Sequence, residues 1–143
     1  MGSRGRGRAA SLAAVIHLDT NFLIHALRTG SAQAEALERL LTGGDSLGLS
    51  SIAWSEFCCG SPSVPVTEED RHQVTALVGQ PVRFGAEDAL LAAELFNSGG
   101  RRRGSLPDAM IAAVAIRSGA TLATVNRKDF RPFESAGLRL LDA

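Results

Sequence analysis

Short apolar segments alternate with segments of helical periodicity along most of this chain, and few folds accommodate that order. Residues 14–18 form a nearly continuous apolar segment that ends at Asp19, as a buried strand would. Further strand signals lie at residues 46–49, 82–84, 121–125 and 138–141. Because strands and helices alternate, the sequence predicts an α/β fold with three layers, in which a mainly parallel central sheet has helices on both faces.

The helices between these strands are placed by their spacing and their end signals. They are predicted at residues 22–27, 34–41, 52–59, 67–78, 86–96 and 108–117. The last of them follows Pro107 and is apolar nearly all round, so we expect it at the centre of the fold. Residues 97–104, just before it, are predicted to form an exposed basic loop.

Length, charge and cysteine content narrow the function. A chain of 143 residues fits one domain, and we predict a flexible Arg-rich tail at residues 1–11 and a single domain at residues 12–143. The 15 Lys and Arg residues balance 15 Asp and Glu residues, so any nucleic-acid contact must be local. No apolar run approaches the roughly 20 residues that cross a bilayer. Adjacent Cys58 and Cys59 suit neither a disulfide nor a zinc site, which favours a reducing cytoplasm.

Four acidic residues lie beside or inside apolar segments, where an unpaired carboxylate is costly. They are Asp19, Glu56, Asp108 and Asp129. Asp19 and Asn126 each follow a predicted strand, and ligands of parallel sheets gather at that edge, near the topological switch point. Grouped carboxylates repel one another unless a cation lies between them, and Mg²⁺ or Mn²⁺ suits an all-oxygen site. The pattern therefore predicts a metal-activated water that hydrolyses phosphodiester bonds.

Each acid also has an explanation that involves no catalysis. Simple helix capping is a sufficient explanation for Asp19 and for Asp108. Glu56 can be neutralised by one partner such as Arg117. Asp129 lies three residues after Asn126, the spacing of a capping box. The four acids together favour a site more strongly than any one of them does.

The segments around these acids resemble the PIN-domain ribonucleases, and among them the VapC-type toxins of bacterial toxin-antitoxin pairs. The matching text is IHLDTN at 16–21, SEF at 55–57, LPDAMIAA at 106–113 and LATVNRKDF at 122–130. Each piece has low specificity alone, but the four occur in the family's order and cover nearly the whole chain after the tail. The resemblance implies a parallel sheet between helices and endonucleolytic cleavage of RNA with Mg²⁺ or Mn²⁺.

The resemblance also assigns roles to individual residues. Asp19, Glu56 and Asp108 match the family's three central acids. The fourth acid is ambiguous, and we expect Asp129 to contribute through water while Asn126 positions it. The small polar residues that the family places beside the acids are matched by Thr20, Asn21 and Thr124, although the first two are equally compatible with simple helix capping.

Partners are implied by the same resemblance. It implies a homodimer and a VapB-type antitoxin whose tail blocks the acidic pocket with a basic side chain. An apolar groove for that tail is one interpretation of Ile24, Leu27, Leu37 and Leu41, and burial in the chain's own core is the other. RNA contacts beside the acids are predicted for Arg101, Arg102, Arg103, Arg127 and Lys128.

Alternative functions remain at this stage. One is a PIN nuclease of RNA processing that is not a toxin. Another is a module that binds nucleic acid or protein without catalysis. A phosphotransferase with Asp19 as nucleophile is disfavoured, because the next residues are Thr20 and Asn21 and no second Asp follows two residues on.

Overall fold

The computed structural model describes residues 13–101 and 105–142. The predicted tail, Arg102 and Arg103 therefore lie outside the described residues. The elements, in chain order, are β1 (Val15–Leu18), α1 (Thr20–Ala26), α2 (Ala32–Thr42), β2 (Ser46–Gly48), α3 (Ser51–Cys59), α4 (Glu68–Val78), α5 (Ala86–Ser98), α6 (Ser105–Arg117), β3 (Thr121–Ala123), α7 (Arg127–Phe130), a 3-10 helix (Arg131–Ala136) and β4 (Arg139–Leu140). None of the helices in this part of the chain is long and apolar enough to cross a bilayer.

The four strands form one parallel sheet in the order β2-β1-β3-β4. The chain leaves β1 for β2 on one side and later reaches β3 on the other side, so the topological switch point lies between β1 and β3. Because crossovers between parallel strands are right-handed, connections that run in opposite directions place their helices on opposite faces. The predicted α/β class with a parallel sheet is confirmed.

One strand prediction was wrong. Residues 82–84 form no strand, and only Val82 pairs, through a single parallel bridge with Ser50. Two local features prevent a longer ladder. Pro81 has no N–H to donate, and the N–H of Phe84 donates instead to the Ser51 side chain at 3.1 Å.

Helix α6 is the central helix, as its all-round apolar sequence predicts. Ala109 and residues 111–115 are buried, with exposures of 1% or less. The helix packs against α3, α5, α7 and β3. Because α6 is fixed by this packing, the residues in its first turn, including Asp108, are held in a defined place.

The His17 imidazole of β1 lies against Gly48 in the neighbouring strand β2. These residues face each other in the register of the two strands. A Cβ atom at Gly48 would lie 2.8 Å from His17 Cδ2, so only glycine leaves room for the imidazole. His17 is 2% exposed, its Nδ1 has no hydrogen-bond partner among residues 13–101 and 105–142, and burial lowers its pKa. His17 is therefore a neutral core residue.

Candidate active site

Asp19 lies at the carboxyl end of β1, at the switch point of the sheet. Its N–H donates to the carbonyl of Ala123 at 2.9 Å, and its side chain is at the N-cap of α1. Only 4% of the residue is exposed. Oδ1 accepts a hydrogen bond from the Thr20 N–H at 2.7 Å, and Oδ2 accepts one from Thr124 Oγ1 at 2.8 Å. The capping explanation is thus correct in part. It does not account for the bond between Oδ2 and Thr124, which follows β3.

The protonation of Asp19 reflects its surroundings. Burial raises the pKa of the carboxyl group most strongly. The hydrogen bonds from Thr124 and Thr20 lower the pKa, while the negative charges of Glu56 and Asp129 raise it again. Three of the four predicted acids are therefore close enough to interact electrostatically.

Thr124 fixes the orientation of Asp19 from the end of β3. Its Oγ1 accepts the N–H of Asn126 at 2.9 Å and donates its own proton to Asp19. Because the hydroxyl accepts one hydrogen bond and donates another, both of its contacts help to fix its orientation. Thr124 is 7% exposed, so water competes little for this bond.

Glu56 reaches the site from α3, through Thr20. The Thr20 hydroxyl donates to Glu56 Oε1 at 2.6 Å, while the N–H of the same residue binds Asp19. Neutralisation of Glu56 by Arg117 was a wrong interpretation. Arg117 pairs instead with Glu87 at 2.8 Å and Asp88 at 3.0 Å, both on α5. Glu56 is an exposed carboxylate beside a buried one.

Asp129 is the third residue of α7, and the capping-box explanation for it was wrong. The Asn126 side chain makes no cap hydrogen bond to α7. Only the backbones are joined, by the Asp129 N–H and the Asn126 carbonyl at 3.0 Å. The carboxylate is half-buried, and its charge acts on Asp19.

The remaining predicted polar residues differ in position. Asp108 is half-buried in the first turn of α6, the helix that packs against α3 and α7. Its part in the site stays a prediction. Asn21 is exposed in the first turn of α1.

The oxygen atoms around Asp19 are of the kind that hard divalent cations prefer as ligands. Carboxylate and hydroxyl oxygens converge on Asp19, and Mg²⁺ and Mn²⁺ prefer such ligands. Within residues 13–101 and 105–142, however, no three His, Cys, Asp or Glu residues are grouped closely enough to hold a metal ion. Glu56 is exposed and Asp129 is half-buried.

Two of the predicted RNA-binding residues, Arg101 and Arg127, have contacts within the protein. The guanidinium of Arg101 lies 5.0 Å from the centroid of the Phe96 ring and donates to the Asn97 side chain. Arg127 contacts the carboxyl-terminal segment of the chain. Lys128 is exposed. Contacts of these side chains with RNA stay a prediction.

An apolar groove leads to Glu56, and the sequence located only part of it. We call it the α1 groove. It consists of a cavity of about 380 Å³ between α1, α2 and α4 and a cavity of about 410 Å³ whose lining includes Glu56, and both are lined by Leu27. Ile24 and Leu41 are 37% and 44% exposed, whereas Leu37 is buried. The sequence analysis missed the wall formed by residues 60–66. The available signal was an apolar residue, Val64, in a Ser- and Pro-rich stretch, and this residue is 70% exposed in the structure.

Fold and site together define a class of proteins, the parallel α/β domains with carboxylates at the carboxyl ends of their central strands. Within that class, a PIN domain family model matches residues 16–134. The chain belongs to the PIN domain family. PIN domains are typically nucleases. No curated protein sequence matches the chain.

Solved structures with the same fold include VapBC proteins and a toxin-antitoxin complex. VapBC-1 from nontypeable Haemophilus influenzae is similar at 23% identity and a TM-score of 0.70, over 90% of this chain and 97% of the other. VapBC2 from Rickettsia felis, bound to a DNA fragment from its promoter, is similar at 23% identity and a TM-score of 0.68, over 90% and 98%. A toxin-antitoxin complex from Klebsiella pneumoniae is similar at 27% identity and a TM-score of 0.61, over 83% and 91%.

Proposed function

We propose that this protein is an endoribonuclease that depends on Mg²⁺ or Mn²⁺, acts in the cytoplasm as a VapC-type toxin, and is neutralised by a cognate antitoxin. One observation carries the proposal: a buried carboxylate, Asp19, has both oxygens held by fixed donors at the switch point while two further carboxylates act on it. Carboxylates that lie close together where solvent is scarce repel one another and destabilise the metal-free protein. A bound cation would relieve that repulsion.

The proposed mechanism assigns one task to each group. Asp19 and Asp108 would hold the cation, Glu56 would complete the ligand set, and Asp129 would act through water. A bound divalent cation supplies positive charge for the phosphate oxygens and activates the attacking water. Thr20 and Thr124 keep the carboxylates oriented. The mechanism requires no nucleophilic side chain, so no covalent intermediate forms.

The nuclease proposal is tested with purified protein and a panel of RNAs. We expect cleavage with Mg²⁺ or Mn²⁺, none with a chelator, and a loss of at least about a hundredfold in Asp108→Asn, which removes a proposed ligand. The exposed carboxylate of Glu94 on α5 provides the control, and Glu94→Gln is expected to match the wild type. Sequencing of RNA 5′ ends after induction in cells locates the cut.

Three outcomes contradict this proposal in different ways. Full activity of Asp108→Asn together with Asp19→Asn would exclude the metal-dependent nuclease. RNA binding without cleavage under all conditions would favour a non-catalytic module. A covalent phosphate on Asp19 would favour the phosphotransferase.

The partner in this proposal is an antitoxin whose tail lies in the α1 groove. Apolar residues of α1 line the groove, and Glu56 and Asp70 add acidic groups to its lining beside Arg28. A segment with apolar side chains followed by a basic one matches this sequence of surfaces, and the basic group would pair with the acids. The same proposal includes a homodimer and a single domain over residues 12–143 that follows an Arg-rich tail.

Substitution in the groove tests the partner. Leu41→Lys places a charge in the groove at a residue that is already 44% exposed, so the fold tolerates it. We expect the dissociation constant for the product of the neighbouring antitoxin reading frame to rise about tenfold or more. The matched control is Leu90→Lys on α5, which is 66% exposed and outside the groove. Equal affinities of the two variants would place the antitoxin elsewhere.

A further inference from the structure

The first residue of α7, Arg127, is joined to the end of the last strand. Its Nη1 donates to the backbone carbonyl of Leu141, and its Nη2 lies 3.4 Å from Asp142 Oδ1. Leu141 is itself fixed, because its N–H donates to the carbonyl of Leu122 in β3 at 2.8 Å. The Arg127 side chain therefore connects α7 to a segment that is hydrogen-bonded to the sheet.

Helix α7 depends on such connections because it is a single turn. Four residues form too few internal hydrogen bonds to hold a helix in place by themselves. The Asn126 N–H, bound to Thr124, fixes the entry to the turn, and the ring of Phe130, 1% exposed, fixes its end. Between these two points lies Asp129, and Arg127 provides the third point of attachment.

We infer that Arg127 is a positioning residue that holds Asp129 at the acidic site by attaching α7 to the end of β4. The inference rests on the proposed function and deepens it. The competing role is the RNA contact predicted from the sequence. A guanidinium has five N–H donors, and here it directs donors at two protein acceptors, which ties its position to the fold.

The inference is tested by Arg127→Ala, with RNA cleavage and metal binding measured separately. We expect kcat to fall about tenfold while KM stays within about twofold. The reason is that the loss of Arg127 misplaces Asp129, which weakens the metal site without removing contacts to the substrate. Mn²⁺ titrated without RNA and followed by electron paramagnetic resonance is expected to bind about tenfold more weakly. Arg127→Lys keeps the charge and one donor, and is expected to restore part of both values.

The chain contains a matched control in Arg139 on β4. Its Nη2 donates to the carbonyl of Gly119 at 2.7 Å, which is the same kind of contact at a different place. Arg139→Ala is expected to lower the melting temperature about as much as Arg127→Ala, with kcat and Mn²⁺ affinity unchanged. Equal effects of both variants on kcat and Mn²⁺ affinity would reduce Arg127 to a structural residue and overturn the inference.

Salt dependence separates positioning from RNA binding. If Arg127 contacted a phosphate, its removal would raise KM and reduce the slope of log(kcat/KM) against log(salt) by about one. Either change, with kcat unaltered, overturns the inference. A wild-type protein that neither cleaves RNA nor binds Mn²⁺ would contradict the proposed function itself. If the wild type is active and Arg127→Ala has the same cleavage rate and Mn²⁺ affinity, only the role of Arg127 is contradicted.

Discussion

Asp19→Asn is expected to abolish metal-dependent cleavage, with a loss of at least about a hundredfold, and to leave the fold intact. The amide keeps the shape of the side chain. It accepts the Thr20 N–H as the carboxylate does, and its NH₂ group can donate to the second lone pair of the Thr124 hydroxyl, whose own proton then loses the Asp19 acceptor. The change therefore removes the charge that the proposed cation needs and little else.

The same substitution is expected to stabilise the metal-free protein at neutral pH. Burial raises the pKa of Asp19 in the folded state, so the folded state binds the proton more tightly than the unfolded chain does. The stability of the wild type consequently falls as the pH rises from the ordinary carboxyl range to the raised value, and the full cost is present above it. Asn carries no such cost. Thermal unfolding in a chelator is expected to show a higher melting temperature for Asp19→Asn at pH 7, and the difference is expected to shrink below about pH 4.

Asp88 provides the control for both effects. It is 9% exposed, accepts the Gly85 N–H at 2.8 Å and pairs with Arg117 at 3.0 Å. Asp88→Asn weakens a charge-assisted contact, so we expect a loss of about 1–2 kcal/mol in stability with cleavage unchanged. If Asp19→Asn behaved like Asp88→Asn, with full activity and lower stability, Asp19 would be a structural cap.

Thr124→Val is expected to affect both stability and cleavage. Valine keeps the branched shape but removes the hydroxyl that donates to Asp19 and accepts the Asn126 N–H. We expect a loss of about 1–3 kcal/mol in the free energy of unfolding, since buried polar atoms lose their partner. Cleavage is expected to fall about 10- to 100-fold, because the carboxylate is no longer oriented.

Thr124→Ser tests whether the hydroxyl is responsible for these effects. It keeps the hydroxyl and removes only a methyl group, so the variant is expected to retain cleavage within a fewfold of the wild type. Urea unfolding and cleavage rates measured on both variants separate the two roles. A fully active Thr124→Val would show that the hydroxyl does not orient Asp19.

The sequence was most informative where a local pattern has one structural solution. An apolar segment ending at Asp19 is a buried strand, and the carboxyl ends of parallel strands lie at one edge, so the proximity of Asp19 and Thr124 was predictable. The central place of α6 was equally predictable, because a helix that is apolar all round has no face for solvent.

Other features depend on contacts that the sequence does not specify. Arg117 was one possible partner for Glu56, but it pairs with two acids on α5, since packing between α5 and α6 decides which carboxylate a long side chain reaches. The capping box at Asn126 had the right spacing, yet its geometry is absent. Spacing along the chain limits which contacts are available, and the packed structure selects among them.

The sheet order also affects when the acidic site is completed during synthesis. Asp19 is made well before Thr124 and α7, which follow it by 105 residues and more. A nascent chain consequently lacks β3 and Thr124, which orient the Asp19 carboxylate, until that stretch has been synthesised and has folded onto β1.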